Sequence, residues 1–84
     1  MQYFVYVLKC ADATLYTGWT NNLEKRILAH NTLKSGAKYT KTRRPVKLVY
    51  AEIYRSRSKA MKREYVLKQL TKAEKVALIK EKMA

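Results

Sequence analysis

Residues Tyr3–Lys9 form the segment that most constrains the fold. Their sequence, YFVYVLK, is β-branched and aromatic and shows no alternation of polar with apolar side chains. Such a pattern is typical of a strand that other elements cover on both faces, because a strand with one solvent face alternates. The segment therefore predicts a central strand, and the rest of the chain must supply neighbouring strands and helices for both faces.

The remaining patterns supply those parts in a simple order. A polar break at residues 11–14 separates the first strand from Leu15–Thr20, so the two strands read as a β-hairpin. Capping signals and apolar spacing predict helices over residues 21–33, from 56 or 58 through 70, and from 71, while alternation predicts a third strand over 46–54. We expect one α+β domain over residues 1–84. It would hold a small three-stranded antiparallel sheet flanked by three helices in the order β-β-α-β-α-α, with the first strand in the middle.

Single residues define the ends and faces of these elements. Asn21 followed by Glu24 fits a capping box for the first helix. The expected caps of the second and third helices are Ser56 or Ser58, and Thr71. Alternation in the third strand predicts a set of inward side chains: Val46, Leu48, Tyr50 and either Ile53 or Tyr54.

Charge dominates the composition and points to a polyanionic partner. The chain has 19 Lys and Arg against 6 Asp and Glu, a formal charge of +13. Nucleic acid is the commonest partner for such a chain, and an adhesive ribosomal-type protein is the plainer alternative. A lone cysteine, Cys10, excludes an internal disulfide. The short apolar start predicts neither a signal peptide nor a membrane span, so we expect a cytoplasmic protein that does not act at a membrane.

Two tyrosines stand in short motifs on the predicted hairpin. One lies in Val5-Tyr6-Val7, and the other in Tyr16-Thr17-Gly18, where a glycine near a strand end leaves backbone open to a ligand. The pair resembles the two half-motifs of the GIY-YIG nuclease superfamily. The later segment from Gly36 to Pro45 resembles the corresponding part of the small stand-alone bacterial members. Apart from the family, both tyrosines also fit core or strand-surface packing.

The resemblance continues into the first predicted helix. Arg26 and His30 are one turn apart and project from the same side of the helix. The resemblance implies that Arg26 binds the scissile phosphate and that His30 lies in the site. The alternative is that Arg26 is a solvated cation and that His30 is favoured by the helix dipole.

Glu64 is the most informative residue of the second half. It lies between Ala60 and Leu67 on the apolar stripe of its predicted helix, so its carboxylate should point inward. An exposed salt bridge with one of the basic neighbours Lys59, Lys62, Arg63 and Lys68 is the ordinary alternative. The family carries its metal-binding glutamate on this helix, so the resemblance implies that Glu64 binds Mg²⁺ or Mn²⁺.

The resemblance implies hydrolysis of a phosphodiester. Tyr6 would act as the base, provided that nearby cations favour its phenolate, and Tyr16 would orient the phosphate or the water. His30 would activate Tyr6 or relay its proton. The sequence departs from many members in one respect, because no asparagine follows Asn31 to orient the glutamate.

A basic segment between the first helix and the third strand is a candidate nucleic-acid contact. Basic side chains and one aromatic side chain suit phosphate contacts and stacking on an unpaired base, although a solvated charge run explains them as well. The segment comprises Lys38, Tyr39, Lys41, Arg43 and Arg44.

These observations predict a metal-dependent endonuclease that recognises the structure of its substrate rather than its base sequence. DNA is preferred over RNA as the expected substrate, and a partner protein could supply targeting. Two alternatives stay open: a nucleic-acid-binding module with weak or no catalysis, and a basic RNA-associated protein without an active site.

Overall fold

The computed structural model describes residues 1–32 and 38–83. These residues form three strands and four helices, one of them a single turn. In chain order these are β1 (Tyr3–Lys9), β2 (Leu15–Thr20), α1 (Leu23–Thr32), α2 (Lys38–Lys41), β3 (Lys47–Tyr54), α3 (Arg57–Lys68) and α4 (Lys72–Met83). The predicted fold class and element order are confirmed, and the short α2 is a helical turn within a segment predicted as a loop. The predicted end of the first helix at residue 33 lies outside the described residues.

The sheet is antiparallel and has the order β2-β1-β3, so β1 is the central strand, as predicted. Its residues Val5, Tyr6, Val7 and Leu8 are all buried, because helices cover both faces of the sheet. Tyr6 lies opposite Gly18 on β2, which places the two tyrosine motifs side by side.

The two faces of the sheet have separate cores. Val5 and Val7 pack with residues of α3 on one face, where Ala60 and Leu67 are buried. Tyr6 and Leu8 point to the other face, where they pack with Cys10 and Val46 and with the apolar side of α1. The side chain of Tyr6 is therefore part of the core beneath α1.

Hydrogen bonds at the helix starts explain where the helices begin. Asn22, not Asn21, caps α1, because its Oδ1 accepts a hydrogen bond from the backbone of Lys25. Ser56 caps α3 as predicted. Thr71 and Glu74 form a reciprocal capping box at α4.

The inward face of β3 differs from the alternation read in the sequence. The register with β1 shifts between Val7 and Leu8, which pair with Tyr50 and Leu48, so Val49 is the extra residue of a bulge. Val49 packs against the core, whereas Leu48 and Ile53 are exposed. The predicted inward position of Leu48 is therefore wrong, because the bulge changes the phase of the strand, and of the alternatives Ile53 and Tyr54 it is Tyr54 that packs against the core.

A cluster of polar contacts on the α3 face of the sheet fixes the position of β3. Glu52 accepts hydrogen bonds from the hydroxyls of Tyr50 and Tyr54, and Arg63 of α3 donates to both carboxylate oxygens at 2.9 and 3.1 Å. Burial raises the pKa of Glu52, but hydrogen bonds from Arg63 and the tyrosines outweigh burial and lower it below its usual range. The carboxylate is charged and satisfied, and it ties α3 to the sheet.

Candidate active site

The hairpin brings Tyr6, Tyr16 and Gly18 together. A Cβ atom on Gly18 would lie 2.6 Å from the Tyr6 hydroxyl oxygen and 3.3 Å from the Tyr16 ring. Any side chain at this position would displace the Tyr6 hydroxyl. The backbone that the sequence suggested was open to a ligand is thus occupied by the Tyr6 side chain, and Gly18 permits that close approach.

His30, on α1, contacts both tyrosines. The imidazole is 0% exposed, and its Nε2 lies 2.8 Å from the Tyr6 hydroxyl. Its Nδ1 lies 2.8 Å from Oγ1 of Thr40 on α2. The edge of the ring also meets the Tyr16 ring, at 5.1 Å between centroids. Tyr6 and His30, the predicted pair, are thus in direct hydrogen-bond contact. A second buried hydrogen bond continues from His30 to Thr40.

The surroundings of His30 favour its neutral form. Burial, with the positive charges of Arg26 and Arg44, lowers the pKa of His30 to about 4. A neutral imidazole has one nitrogen that donates and one that accepts a hydrogen bond. At neutral pH, His30 is therefore uncharged, and one of its ring nitrogens can accept a hydrogen bond.

Tyr6 is held as a protonated phenol in the protein alone. Burial raises the pKa of Tyr6 to about 12, with smaller upward contributions from Tyr16 and Glu64, although a hydrogen bond and the charge of Arg26 act in the opposite direction. The sequence suggested that cations could favour a phenolate here. Arg26 does exert that effect, but desolvation is larger.

Arg26 contacts the phenol from the same helix that carries His30. Its side chain is half-buried, at the border between the core and solvent, and it lies close enough to Tyr6 to lower the pKa of the phenol by hydrogen bonding and by its charge. A guanidinium has only donors, so Arg26 can interact with the phenol only through the phenolic oxygen. The predicted one-turn spacing therefore delivers two groups of different chemistry to the Tyr6 hydroxyl.

Glu64 is near the same phenol but on α3. Its side chain is 19% exposed, and Oε1 lies 3.7 Å from Nζ of Lys68. Its charge is close enough to raise the pKa of Tyr6. Both interpretations offered by the sequence, the inward carboxylate and the salt bridge, thus describe part of its environment.

Glu64 supplies one carboxylate, which suits a hard cation that is also bound by the substrate. Residues 1–32 and 38–83 contain no group of three His, Cys, Asp or Glu side chains arranged to hold a metal. Mg²⁺ commonly binds proteins through one or two carboxylates and fills its remaining positions with water and substrate phosphate. Glu64, half-buried and with a long contact to one lysine, fits that mode.

Two arginines of the basic segment, Arg43 and Arg44, already contact other parts of the protein. Lys41 is exposed, but Arg43 forms an ion pair with Asp12 at 3.0 Å. Arg44 donates to the backbone carbonyls of His30 and Ala29, at the end of α1. The side chains of Lys38 and Tyr39 lie outside the described residues. Contact of these five side chains with nucleic acid stays a prediction.

Sequence reasoning missed two residues that hold the site together. Thr40 is fully buried and hydrogen-bonds His30, although it lies between polar residues in a segment without apolar periodicity. Asn31 bonds both the N–H and the carbonyl of Val46 through its amide, at 2.7 and 3.1 Å, which fixes α1 to the start of β3. A single buried hydroxyl or amide leaves no periodic signal in a sequence.

Comparison with known proteins places this geometry in context. A family model described as the GIY-YIG catalytic domain matches residues 2–77. A UPF0213 protein of Syntrophus aciditrophicus is 58% identical over 78 residues, which cover 93% of this chain and 90% of that protein. A UPF0213 protein of Staphylococcus haemolyticus is 53% identical over 81 residues, covering 96% of this chain and 98% of that protein.

Solved structures of similar proteins share the fold. The solution NMR structure of the UPF0213 protein BH0048 from Bacillus halodurans is 39% identical with a TM-score of 0.63, covering 98% of this chain and 86% of that chain. The solution NMR structure of protein EF2693 from E. faecalis is 37% identical with a TM-score of 0.65, covering 100% and 90%. In the part of this chain that the structure describes, no helix has the length and apolar character needed to cross a membrane.

Proposed function

The chain belongs to the family of GIY-YIG catalytic domains, a nuclease family, and we propose that it hydrolyses phosphodiester bonds in DNA with the help of Mg²⁺ or Mn²⁺. The observation that carries the proposal is the 2.8 Å contact between the Tyr6 hydroxyl and Nε2 of His30, at a phenol on which Arg26 also acts. A proton acceptor and a phosphate-binding cation thus meet at one hydroxyl.

Water activation uses the hydrogen bond between Tyr6 and His30. The attacking water gives a proton to the phenolic oxygen of Tyr6 as the phenolic hydrogen moves to Nε2 of His30. The water oxygen bonds to phosphorus, the bond from phosphorus to the 3′ oxygen breaks, and that oxygen takes a proton from solvent. The relay avoids a free phenolate, which the raised pKa of Tyr6 disfavours.

The substrate itself helps His30 to accept the proton. Arg26 and Arg44 oppose a charged imidazole in the protein alone. A phosphodiester bound to Arg26 would neutralise part of that positive charge and thereby raise the affinity of His30 for a proton. This coupling would favour activation of water when substrate is present.

The other side chains position and stabilise the phosphoryl group. Arg26 donates to the non-bridging oxygens, whose negative charge increases in the transition state. The Tyr16 hydroxyl orients the phosphate or the water. Glu64 would hold the divalent cation, which, when bound, supplies positive charge near the leaving 3′ oxygen.

Charge and size favour a substrate recognised by its structure. A formal charge of +13 supports binding to the phosphate backbone, which carries no sequence information. In the described ranges, each helix longer than one turn packs apolar side chains against the sheet. We therefore propose recognition of branched, nicked or single-stranded DNA, in the cytoplasm, with targeting by a partner protein where needed.

A cleavage assay on labelled DNA tests the proposal. The substrates are single-stranded, duplex, flapped and four-way DNA, with a single-stranded RNA for comparison, each with Mg²⁺, Mn²⁺ or EDTA. We expect cleavage that requires the metal and is lost in Glu64→Gln, while DNA affinity is kept. Glu81→Gln, which removes the same charge from an exposed position on α4, is the matched control and should cleave normally.

Variants of the central contact separate catalysis from packing. Tyr6→Phe keeps the buried ring and removes only the hydroxyl, so we expect a folded, inactive protein. Arg26→Ala should lower the cleavage rate by about 10²-fold or more, as loss of a transition-state donor does elsewhere. An active Tyr6→Phe protein would contradict the relay. Salt-sensitive binding without cleavage of any substrate would instead favour a binding module.

A further inference from the structure

The two ring nitrogens of His30 have different partners, and one partner has no role in the family resemblance. Nε2 lies 2.8 Å from the Tyr6 hydroxyl, and Nδ1 lies 2.8 Å from Oγ1 of Thr40. His30 and Thr40 are both 0% exposed, and Tyr6 is 1% exposed. Water does not compete for these bonds, so the tautomer of the imidazole depends on the protein partners alone.

The directions of these hydrogen bonds follow from Arg26, because a guanidinium can donate hydrogen bonds but cannot accept them. Arg26 acts on the Tyr6 phenol and can only donate, so any hydrogen bond between the two uses a lone pair of the Tyr6 oxygen. The single phenolic hydrogen is then best directed to Nε2. A neutral imidazole carries its one hydrogen on the other nitrogen, so Nδ1–H faces Thr40 Oγ1, which can accept.

We propose that Thr40 is a positioning residue that holds His30 in the Nδ1–H tautomer and so keeps Nε2 free to take the phenolic hydrogen of Tyr6. In the opposite tautomer, Nε2–H would donate to the Tyr6 oxygen and could not receive its hydrogen. As the acceptor for Nδ1–H, Thr40 thus supports a proton relay that runs from Tyr6 to His30. The inference rests on the proposed nuclease function for its catalytic meaning, but the tautomer itself is a property of the protein alone.

The position of Thr40 in the chain suits this role. Its carbonyl accepts a hydrogen bond from the backbone N–H of Arg43 at 3.0 Å, which closes the turn after α2. Arg43 in turn pairs with Asp12, beside the hairpin of β1 and β2. The segment that carries Thr40 is therefore attached to the same hairpin that carries Tyr6.

Nitrogen NMR of the histidine ring tests the inference without substrate. The chain has one histidine, so its ring signals belong to His30 without assignment by mutation. At pH 7 we expect the long-range proton-nitrogen pattern of the Nδ1–H tautomer in the wild type. In Thr40→Val, which removes the acceptor and keeps the branched shape, the Nδ1–H population should fall. In Thr40→Ser, which keeps a hydroxyl, it should recover.

Controls make the result specific to the hydroxyl at Nδ1. Thr32→Val removes a hydroxyl that bonds the carbonyl of Leu28 on the same helix, and it should leave the tautomer unchanged. If Thr40→Val does not fold, Thr40→Ala takes its place. A wild type in the Nε2–H form would overturn the inference, as would a hydroxyl-free variant with the wild-type pattern.

Cleavage kinetics then separate this inference from the proposed function. Thr40→Val should lower kcat by about tenfold or more with little change in KM, because a residue that orients a reacting group acts on the chemical step. Thr40→Ser should restore most of the rate. If the wild type cleaves no substrate, the proposed function fails, while the NMR result still decides whether Thr40 sets the tautomer.

Discussion

Acidification should destabilise this protein over a pH range in which most proteins change little, because His30 is buried in its neutral form. The folded state holds the pKa of His30 at about 4 through burial and the charges of Arg26 and Arg44, against about 6.5 for an exposed histidine. Below pH 6.5, His30 binds a proton in the unfolded chain but stays neutral in the folded chain until the pH approaches 4. The stability contributed by neutral His30 is therefore fully present above pH 6.5 and is lost as the pH falls toward 4.

The two pKa values give the size of the effect. Between pH 7.5 and 5.0, linkage predicts a loss of about 2 kcal/mol in the free energy of unfolding. For a small domain with a urea slope of about 1 kcal/mol/M, this loss moves the unfolding midpoint by about 2 M. Carboxylates of the unfolded chain titrate mainly below this range, so His30 supplies most of the change.

Urea unfolding measured at several pH values checks this prediction. The fluorescence of Trp19, the one tryptophan of the chain, reports the transition. In His30→Gln, whatever its absolute stability, the difference between the midpoints at pH 7.5 and 5.0 should fall to a small fraction of the wild-type value. Equal wild-type midpoints at the two pH values would refute the reasoning, and so would a variant that keeps the full pH dependence.

Three substitutions test other parts of the structure. Gly18→Ala should displace the Tyr6 hydroxyl and destabilise the protein by about 1–3 kcal/mol, seen in urea unfolding together with a changed His30 ring spectrum. Arg63→Ala should cost about 1–3 kcal/mol, because Glu52 loses two charged hydrogen bonds, and acid unfolding should begin at a higher pH. Leu67→Ala, at a site that is 1% exposed, should cost about 2–5 kcal/mol by thermal or urea unfolding, and a cost below about 1 kcal/mol would contradict its place in the core.

The parts of the fold that depend on local signals could be predicted from the sequence. The unbroken apolar run of β1 gives the central strand, and capping residues such as Ser56 and Thr71 give helix starts. The bulge at Val49 could not be predicted, because a register shift depends on the partner strand. It moved Leu48 away from its expected position.

In the candidate site, too, features set by local sequence could be predicted, whereas features that depend on a distant segment could not. Spacing on one helix was enough to place Arg26 and His30 on one side, and the structure brings both to Tyr6. The buried hydroxyl of Thr40 depends on how α2 meets α1, which no pattern within either segment encodes. The ion pair of Arg43 joins residues far apart in the chain, so the sequence offered Arg43 only as a nucleic-acid contact or a solvated cation.

The packing of Tyr6 and His30 affects how sequences of related proteins should be compared. Both side chains fill the core beneath α1, so selection for folding alone would keep them in a lineage that had lost cleavage. Arg26 and Glu64 are half-buried at the border of the core, and folding depends on them less. Under the proposed function, their loss from a relative that keeps the tyrosine and the histidine would therefore mark a descendant that binds nucleic acid without cutting it.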